Sequence, residues 1–130
     1  MPAGRYNFLI EQGATFQLEL QYKDPSNNPI NLTGYSGRLQ IRQTVPSTVV
    51  LLCLSSSLRP DGTGISFSGS NGTTPPTSGS IGIYISAVSS SLLTFDQAVY
   101  DLEIENSSGF VTRLIEGSVQ LSKEVTRGNC

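Results

Sequence analysis

The sequence predicts an all-β domain of eight to nine short strands with at most one short helix, on three observations. The first is composition. Charged residues make up 14% of the chain, against roughly 25% in an average domain. Their place is taken by 13 Gly and an abundance of Ser and Thr, residues of turns and short strands, while the good helix formers are scarce. The second is period-two alternation of apolar and polar residues, repeated along the chain. The third is punctuation: clusters of Pro, Gly, Asn, Asp and Ser bound nearly every alternating run.

Taken in order, the chain opens with the apolar segment Tyr6-Asn7-Phe8-Leu9-Ile10, which Gln12-Gly13 breaks. The clearest strand follows. Phe16, Leu18, Leu20 and Tyr22 alternate with Gln17, Glu19, Gln21 and Lys23, giving one dry face and one wet face. Asp24-Pro25-Ser26-Asn27-Asn28-Pro29 is a dense turn, and a return strand is expected after it. Leu32-Thr33-Gly34-Tyr35 reads as a turn that sets Tyr35 against the core, with Gly34 free to take positive φ. Gly37–Arg42 alternates again, Leu39 and Ile41 inward and Arg38, Gln40 and Arg42 outward, and Pro46 ends it. Val49–Leu54 is apolar throughout, which predicts a strand covered on both faces, by the core or in part by another subunit.

Ile65 and Phe67 mark a short strand. Ser68–Ser80 consists of Ser, Gly, Asn, Thr and Pro, too polar to pack, and reads as an exposed loop. Ser80–Ile85 places Ile81, Ile83 and Ile85 on one face. Residues 86–95 are the one helix candidate: Ser86 caps a turn or two, and Val88 and Leu92 lie one turn apart on one side. Val99–Glu105 alternates Tyr100, Leu102 and Ile104 with the carboxylates Asp101, Glu103 and Glu105. Asn106-Ser107-Ser108-Gly109 is a tight hairpin turn and Phe110–Leu121 the return strand, where Gly117 predicts a bulge or bend. Short strands and turns in this series point to an antiparallel β-sandwich, immunoglobulin-like or related.

A single domain over residues 1–130 is expected, with the segment 1–10 and the tail 123–130 extended. A chain of this size builds a core without disulfides or metals. Cys53, inside an apolar run, reads as a buried free thiol; a disulfide with the terminal Cys130 stays open. The longest apolar run is far short of the roughly 20 residues that span a membrane. No targeting segment is visible, so a soluble chain made in a cytoplasm is expected. The Asn-x-Ser/Thr triplets at Asn31, Asn71 and Asn106 then read as turn chemistry.

A formal net charge of −2 and a pI near 4.9 lack the basic footprint of a nucleic-acid binder. The chain has no His, the commonest general base and metal ligand, which excludes Ser-His-Asp and Cys-His catalysis. Its two Cys have no zinc-site spacing. Asp101, Glu103 and Glu105 form a row at two-residue spacing, as on a solvated strand face, rather than the flanking pair of a glycosidase. Asp61-Gly62-Thr63-Gly64 brings one carboxylate, too few for a calcium loop, and no Gly-rich stretch continues as a phosphate loop. No catalytic residue, cofactor or metal is therefore expected, and no nucleic-acid or membrane partner. For sugar binding there is no Trp; Tyr35, Tyr84 and Phe95 are the aromatic candidates.

Six segments, in this order, carry a resemblance: Glu11-Gln12-Gly13-Ala14-Thr15-Phe16, Ile30-Asn31-Leu32-Thr33-Gly34-Tyr35, Leu39-Gln40-Ile41-Arg42, Tyr100-Asp101-Leu102-Glu103, Arg113-Leu114-Ile115-Glu116-Gly117 and Glu124-Val125-Thr126-Arg127. The set resembles small proteins encoded in the tail and baseplate regions of tailed bacteriophages. It is also similar to the N-terminal domain of baseplate and receptor-binding adaptor proteins, which joins a fibre to the tail. The resemblance covers nearly the whole chain and brings no catalytic residues. It implies a non-enzymatic structural protein of the virion, made in the host cytoplasm, partnered by tail, baseplate or fibre proteins and present in several symmetric copies. A receptor- or glycan-binding adhesin module and a head decoration or head–tail connector protein are the alternatives. Partner contacts are expected from Arg5, Tyr6 and Phe8 in the N-terminal segment, Asn71, Thr74 and Pro75 in the polar loop, and Arg127 in the tail, places where a partner can order weakly packed chain.

Overall fold

The computed structural model of the chain describes residues 4–68 and 75–125. Among these the elements are β1 (Gly4–Arg5), β2 (Phe8–Glu11), β3 (Phe16–Gln21), β4 (Ser36–Arg42), β5 (Leu52–Ser55), β6 (Gly64–Ser66), a 3-10 turn (Pro76–Ser78), β7 (Ser80–Ile85), α1 (Ala87–Ser91), β8 (Gln97–Glu105) and β9 (Val111–Ser122). They form two sheets, so the all-β expectation holds. The larger runs β1-β9-β8-β4-β5, with β2 continuing β1 along β9; the smaller runs β3-β7-β6.

Alternation decides what each strand buries. Leu39 and Ile41 of β4, Leu52 and Leu54 of β5, and Tyr100, Leu102 and Ile104 of β8 point inward from the larger sheet. They meet Ile65 of β6 and Ile81, Ile83 and Ile85 of β7 in one core cluster. Burying each such side chain contributes roughly 1.5–3 kcal/mol. β3, an edge strand paired with β7 from Phe16↔Ile85 to Gln21↔Ser80, half-buries Phe16, Leu18 and Leu20.

Local polar chemistry makes the turns. The Asn106 Oδ1 accepts the Ser108 and Phe110 amides at 3.0 and 2.9 Å, and Gly109 takes φ +85° between β8 and β9. The Asn31 side chain likewise accepts the Thr33 amide. The Tyr35 amide donates to the Leu32 carbonyl at 3.0 Å across Gly34, whose φ is +82°, and Tyr35 packs on the core as expected. After the Asp24–Pro29 turn no return strand forms. Only an isolated Lys23↔Pro29 bridge is made. Pro29 has no amide to extend a ladder, and the chain crosses to the larger sheet on the buried Leu32.

Four further expectations are corrected. The first concerns antiparallel pairing: residues 4–5 and 8–11 join the sheet as β1 and β2, parallel to β9, from Gly4↔Ile115 to Glu11↔Ser122. The second is Val49–Leu54, which is not covered on both faces. Only residues 52–55 form a strand, at the sheet edge beside β4, and Val49 and Val50 are exposed. The third follows from that register: with Leu52 and Leu54 inward, Cys53 must point outward, and its thiol is exposed rather than buried. The fourth is Gly117. The β8/β9 register shifts after Leu102, where Leu102↔Ile115 is followed by Glu103↔Arg113, so the extra residue is Leu114 and the bulge precedes Gly117.

Gly117 serves the close approach of another backbone. A Cβ there would collide with the Tyr6 carbonyl oxygen and with Asn7. That carbonyl accepts the hydroxyl of Tyr100, the residue paired with Gly117, at 2.6 Å, and the Asn7 Oδ1 accepts the Ser118 amide at 2.9 Å. Beside this kink Phe8 packs on Tyr100 and Phe16, with ring centroids 4.6 and 5.0 Å apart. Gly117→Ala is expected to destabilise the protein by about 3 kcal/mol, because the added methyl evicts the first strand. Tyr100→Phe is expected to cost about 1 kcal/mol for one buried hydrogen bond. Urea unfolding gives both values, and hydrogen exchange should show protection lost first at residues 4–11 in the alanine variant.

Candidate interaction surfaces

Two surfaces of the larger sheet stand out, one charged and one apolar. Register builds the charged one. Outward from β4, β8 and β9, Arg38, Glu103 and Arg113 form one cross-strand row, and Gln40, Asp101 and Glu116 the next, which Arg5 of β1 extends. Arg38 Nε lies 3.1 Å from Glu103 and its Nη1 3.9 Å from Glu105, while Arg113 Nε lies 3.4 Å from Asp101. These pairs are half in solvent, worth about 0–1 kcal/mol each. Partial burial, and then the charge of Glu103, raise the Asp101 carboxyl above the usual aspartate range. A groove of about 530 Å³ lies over this face, between Arg5 at one side and Val45 at the other. The three β8 carboxylates thus belong to a ladder of alternating charge, as a solvated strand face implies.

The apolar surface forms where α1 passes the end of β5. As the sequence suggests, Ser86 is the N-cap, its Oγ accepting the Ser89 amide at 3.0 Å. The side carrying Val88 and Leu92 faces solvent, with 69% and 76% of each exposed, and the helix buries Ser89 and Ser90. Polar partners on the inner side explain this orientation. Asp61 Oδ2 accepts the Ser86 and Ser89 hydroxyls at 2.6 and 2.9 Å, and the Thr63 hydroxyl donates to Ser89 Oγ at 3.2 Å. The Ser90 hydroxyl donates to the Ala14 carbonyl and accepts the Gly13 amide. With the serines drawn inward, Val88 and Leu92 are left exposed, as are Val49, Val50 and Leu58 on the chain flanking β5. A cleft of about 380 Å³ separates β5 from α1, with Val50, Leu51, Leu92 and Leu93 on its walls and Cys53 and Arg59 at its rim.

The expected contact residues are dispersed. Arg5 borders the charged groove, and Tyr6 is exposed on the same edge of the sheet. Phe8 is corrected: it is buried in the aromatic cluster and offers a partner no surface. Pro75 is exposed at the start of the 3-10 turn that leads to the smaller sheet. Asn71, Thr74 and Arg127 lie outside the described residues. Of the aromatic candidates for sugar binding, Phe95 is buried and Tyr35 and Tyr84 are half-buried. The tail is anchored at its start, the Lys123 Nζ donating to the Thr94 carbonyl and the Glu124 amide to Gln12 Oε1. Of the cleft residues, Val50 falls in the run expected to be covered in part by another subunit, while Arg59 and Leu92 were not expected as contacts. The signal for them was the run Ser89-Ser90-Ser91, which gives the helix a polar side to turn inward if a carboxylate waits there.

No known family model matches this chain, and a search of curated proteins finds none similar to it.

Hydrogen bonds from Ser86, then the Thr63 amide and Ser89, hold the Asp61 carboxyl well below the usual carboxylate range. Its ionised form favours the folded state above the unfolded aspartate pKa of about 3.9, and that stability is lost as pH falls below it. Asp101, shifted the other way, favours the folded state at low pH, where it is protonated, and that contribution is lost as pH rises. Urea midpoints measured across the acid range should fall more steeply below about pH 4 in the wild type than in Asp61→Asn. Leu92→Asp, at an exposed site, should change stability by less than about 0.5 kcal/mol in the same assay.

Proposed function

We propose that the chain is a non-catalytic assembly domain of a tailed-phage particle, a tail or baseplate component that docks a fibre or spike. The observation that carries the reading is the exposed apolar side of α1 beside β5, where Val50 and Leu92 line one cleft and Val88 is left to solvent. Apolar side chains gathered this way mark contact sites. The resemblance carried by the six segments supports the virion part of the reading, and several symmetric copies in the tail are part of the proposal.

The finer architecture proposed is an immunoglobulin-like β-sandwich. Strand order supports it. With β3 to β9 taken as B, C, C′, D, E, F and G, one sheet reads B-E-D and the other G-F-C-C′, the arrangement of that fold, with residues 4–11 added beside G. A glycan-binding module asks for exposed aromatics on one face. Here the exposed Tyr6 and Phe110 sit near Gly117 and at the start of β9, seven residues of strand apart, or roughly 20 Å.

Mass spectrometry of purified particles split into heads and tails tests the proposal. The chain is expected in tails at a stoichiometry that matches tail symmetry. Recovery in heads would move it to decoration or head–tail connection, and absence from both would end the virion reading. The polar loop is tested by deletion of residues 69–74. The cut must stop there, because the Pro76 and Gly79 carbonyls accept the Leu32 and Tyr22 amides. If the loop docks the domain, the deleted chain folds with unchanged stability but no longer enters tails.

A further inference from the structure

The geometry points to a definite partner chemistry for the cleft between β5 and α1: a short apolar protein segment that carries a carboxylate. The inference rests on the assembly reading above and specifies what the docked partner presents. Three observations support it. Five of the eight lining residues, Val50, Leu51, Leu52, Leu92 and Leu93, are aliphatic, beside Cys53, Ser89 and Arg59, so the site favours aliphatic side chains over sugars or nucleotides. The helix wall is apolar because α1 is turned over by its bonds to Asp61 and Ala14, so its outward face is fixed from within rather than free to rotate inward.

The third observation is charge. Arg59 is the single charged residue lining the cleft. It is held there by its own Nη2, which donates to the Cys53 carbonyl at 2.8 Å on the free edge of β5. Among the described residues it takes part in no ion pair, a state it shares with Arg5, Lys23 and Arg42, but of these it alone lines the cleft. A guanidinium has five N–H donors in a planar fork suited to a carboxylate. Anchored by one of them beside an aliphatic wall, Arg59 presents the others to whatever enters. A segment with Leu or Val on both sides of an Asp or Glu matches both features, and a lysine at that position is rejected.

The test uses the full chain, labelled with nitrogen-15 and titrated with the peptide acetyl-Leu-Val-Glu-Val-Leu-amide and its Gln and Lys counterparts. The Glu peptide is expected to shift the amide signals of Val50–Cys53 and Val88–Leu92 and to leave the charged face unmoved. Affinity should fall about tenfold with the Gln peptide and with Arg59→Gln, the share of one charge-assisted contact. The variant's spectrum away from the cleft serves as the folding control. Leu92→Asp should abolish binding. Absence of shifts at the cleft, or equal affinity for the three peptides, overturns the inference. So does self-association of the wild type that Leu92→Asp removes, which gives the face to a second copy. A chain that binds the Glu peptide but is missing from particles keeps this inference and loses the virion reading; one found in tails that ignores the peptide does the reverse.

Discussion

The larger sheet closes on one carbonyl. The oxygen of Tyr6 turns out of the parallel ladder, crosses the bare backbone of Gly117 and accepts the hydroxyl of Tyr100. Three strands are fixed by that contact: the first, by the kink; β9, by its lack of a side chain; β8, by the ring beneath. Phe8 and Ile10 enter the core on the register against β9 that β1 already holds, Gly4↔Ile115 before the kink and Phe8↔Val119 after it. Were the ladder to run straight, Tyr6 and Asn7 would pair like any other residues, and nothing would specify a glycine.

A second constraint orients the opposite end. Asp61 gathers two serine hydroxyls and the Thr63 amide, and a hydroxyl–hydroxyl contact joins Thr63 to Ser89. A short helix has little propensity of its own to stay folded, so this network decides both that α1 forms and which way it faces. Polar satisfaction outranks hydrophobic burial here because unpaired inner groups, Ser86 and Thr63 among them, would cost more than two aliphatic side chains left in water.

That ranking explains what could be read from the chain alone. β3, β4, β7 and β8 follow from alternation, since one residue in two has only one dry side to go to. The Asn31 and Asn106 turns and the Ser86 cap follow from side chains that bond their own backbone. Partners distant in sequence carry no such local mark. The parallel seam of residues 4–11, the purpose of Gly117 and the inversion of α1 each depend on groups far along the chain. The exposure of Cys53 is an intermediate case: alternation with Leu52 and Leu54 places it outside, but the unbroken apolar run conceals the period. The cleft was hidden for both reasons, being assembled from an edge strand misread as central and a helix face opposite to the one that apolar spacing suggests.

The seam also sets an order of events. Asn7 and Ser118 are 111 residues apart, and every backbone pairing of the first strand waits for β9. Until β9 is in place, Phe8 has the rings of Phe16 and Tyr100 to pack on but no strand beside it. Such distant pairing slows folding, because loop closure must come before any return. Residues 4–11 therefore gain their strand partner late, and that pairing protects β9 and the first strand together.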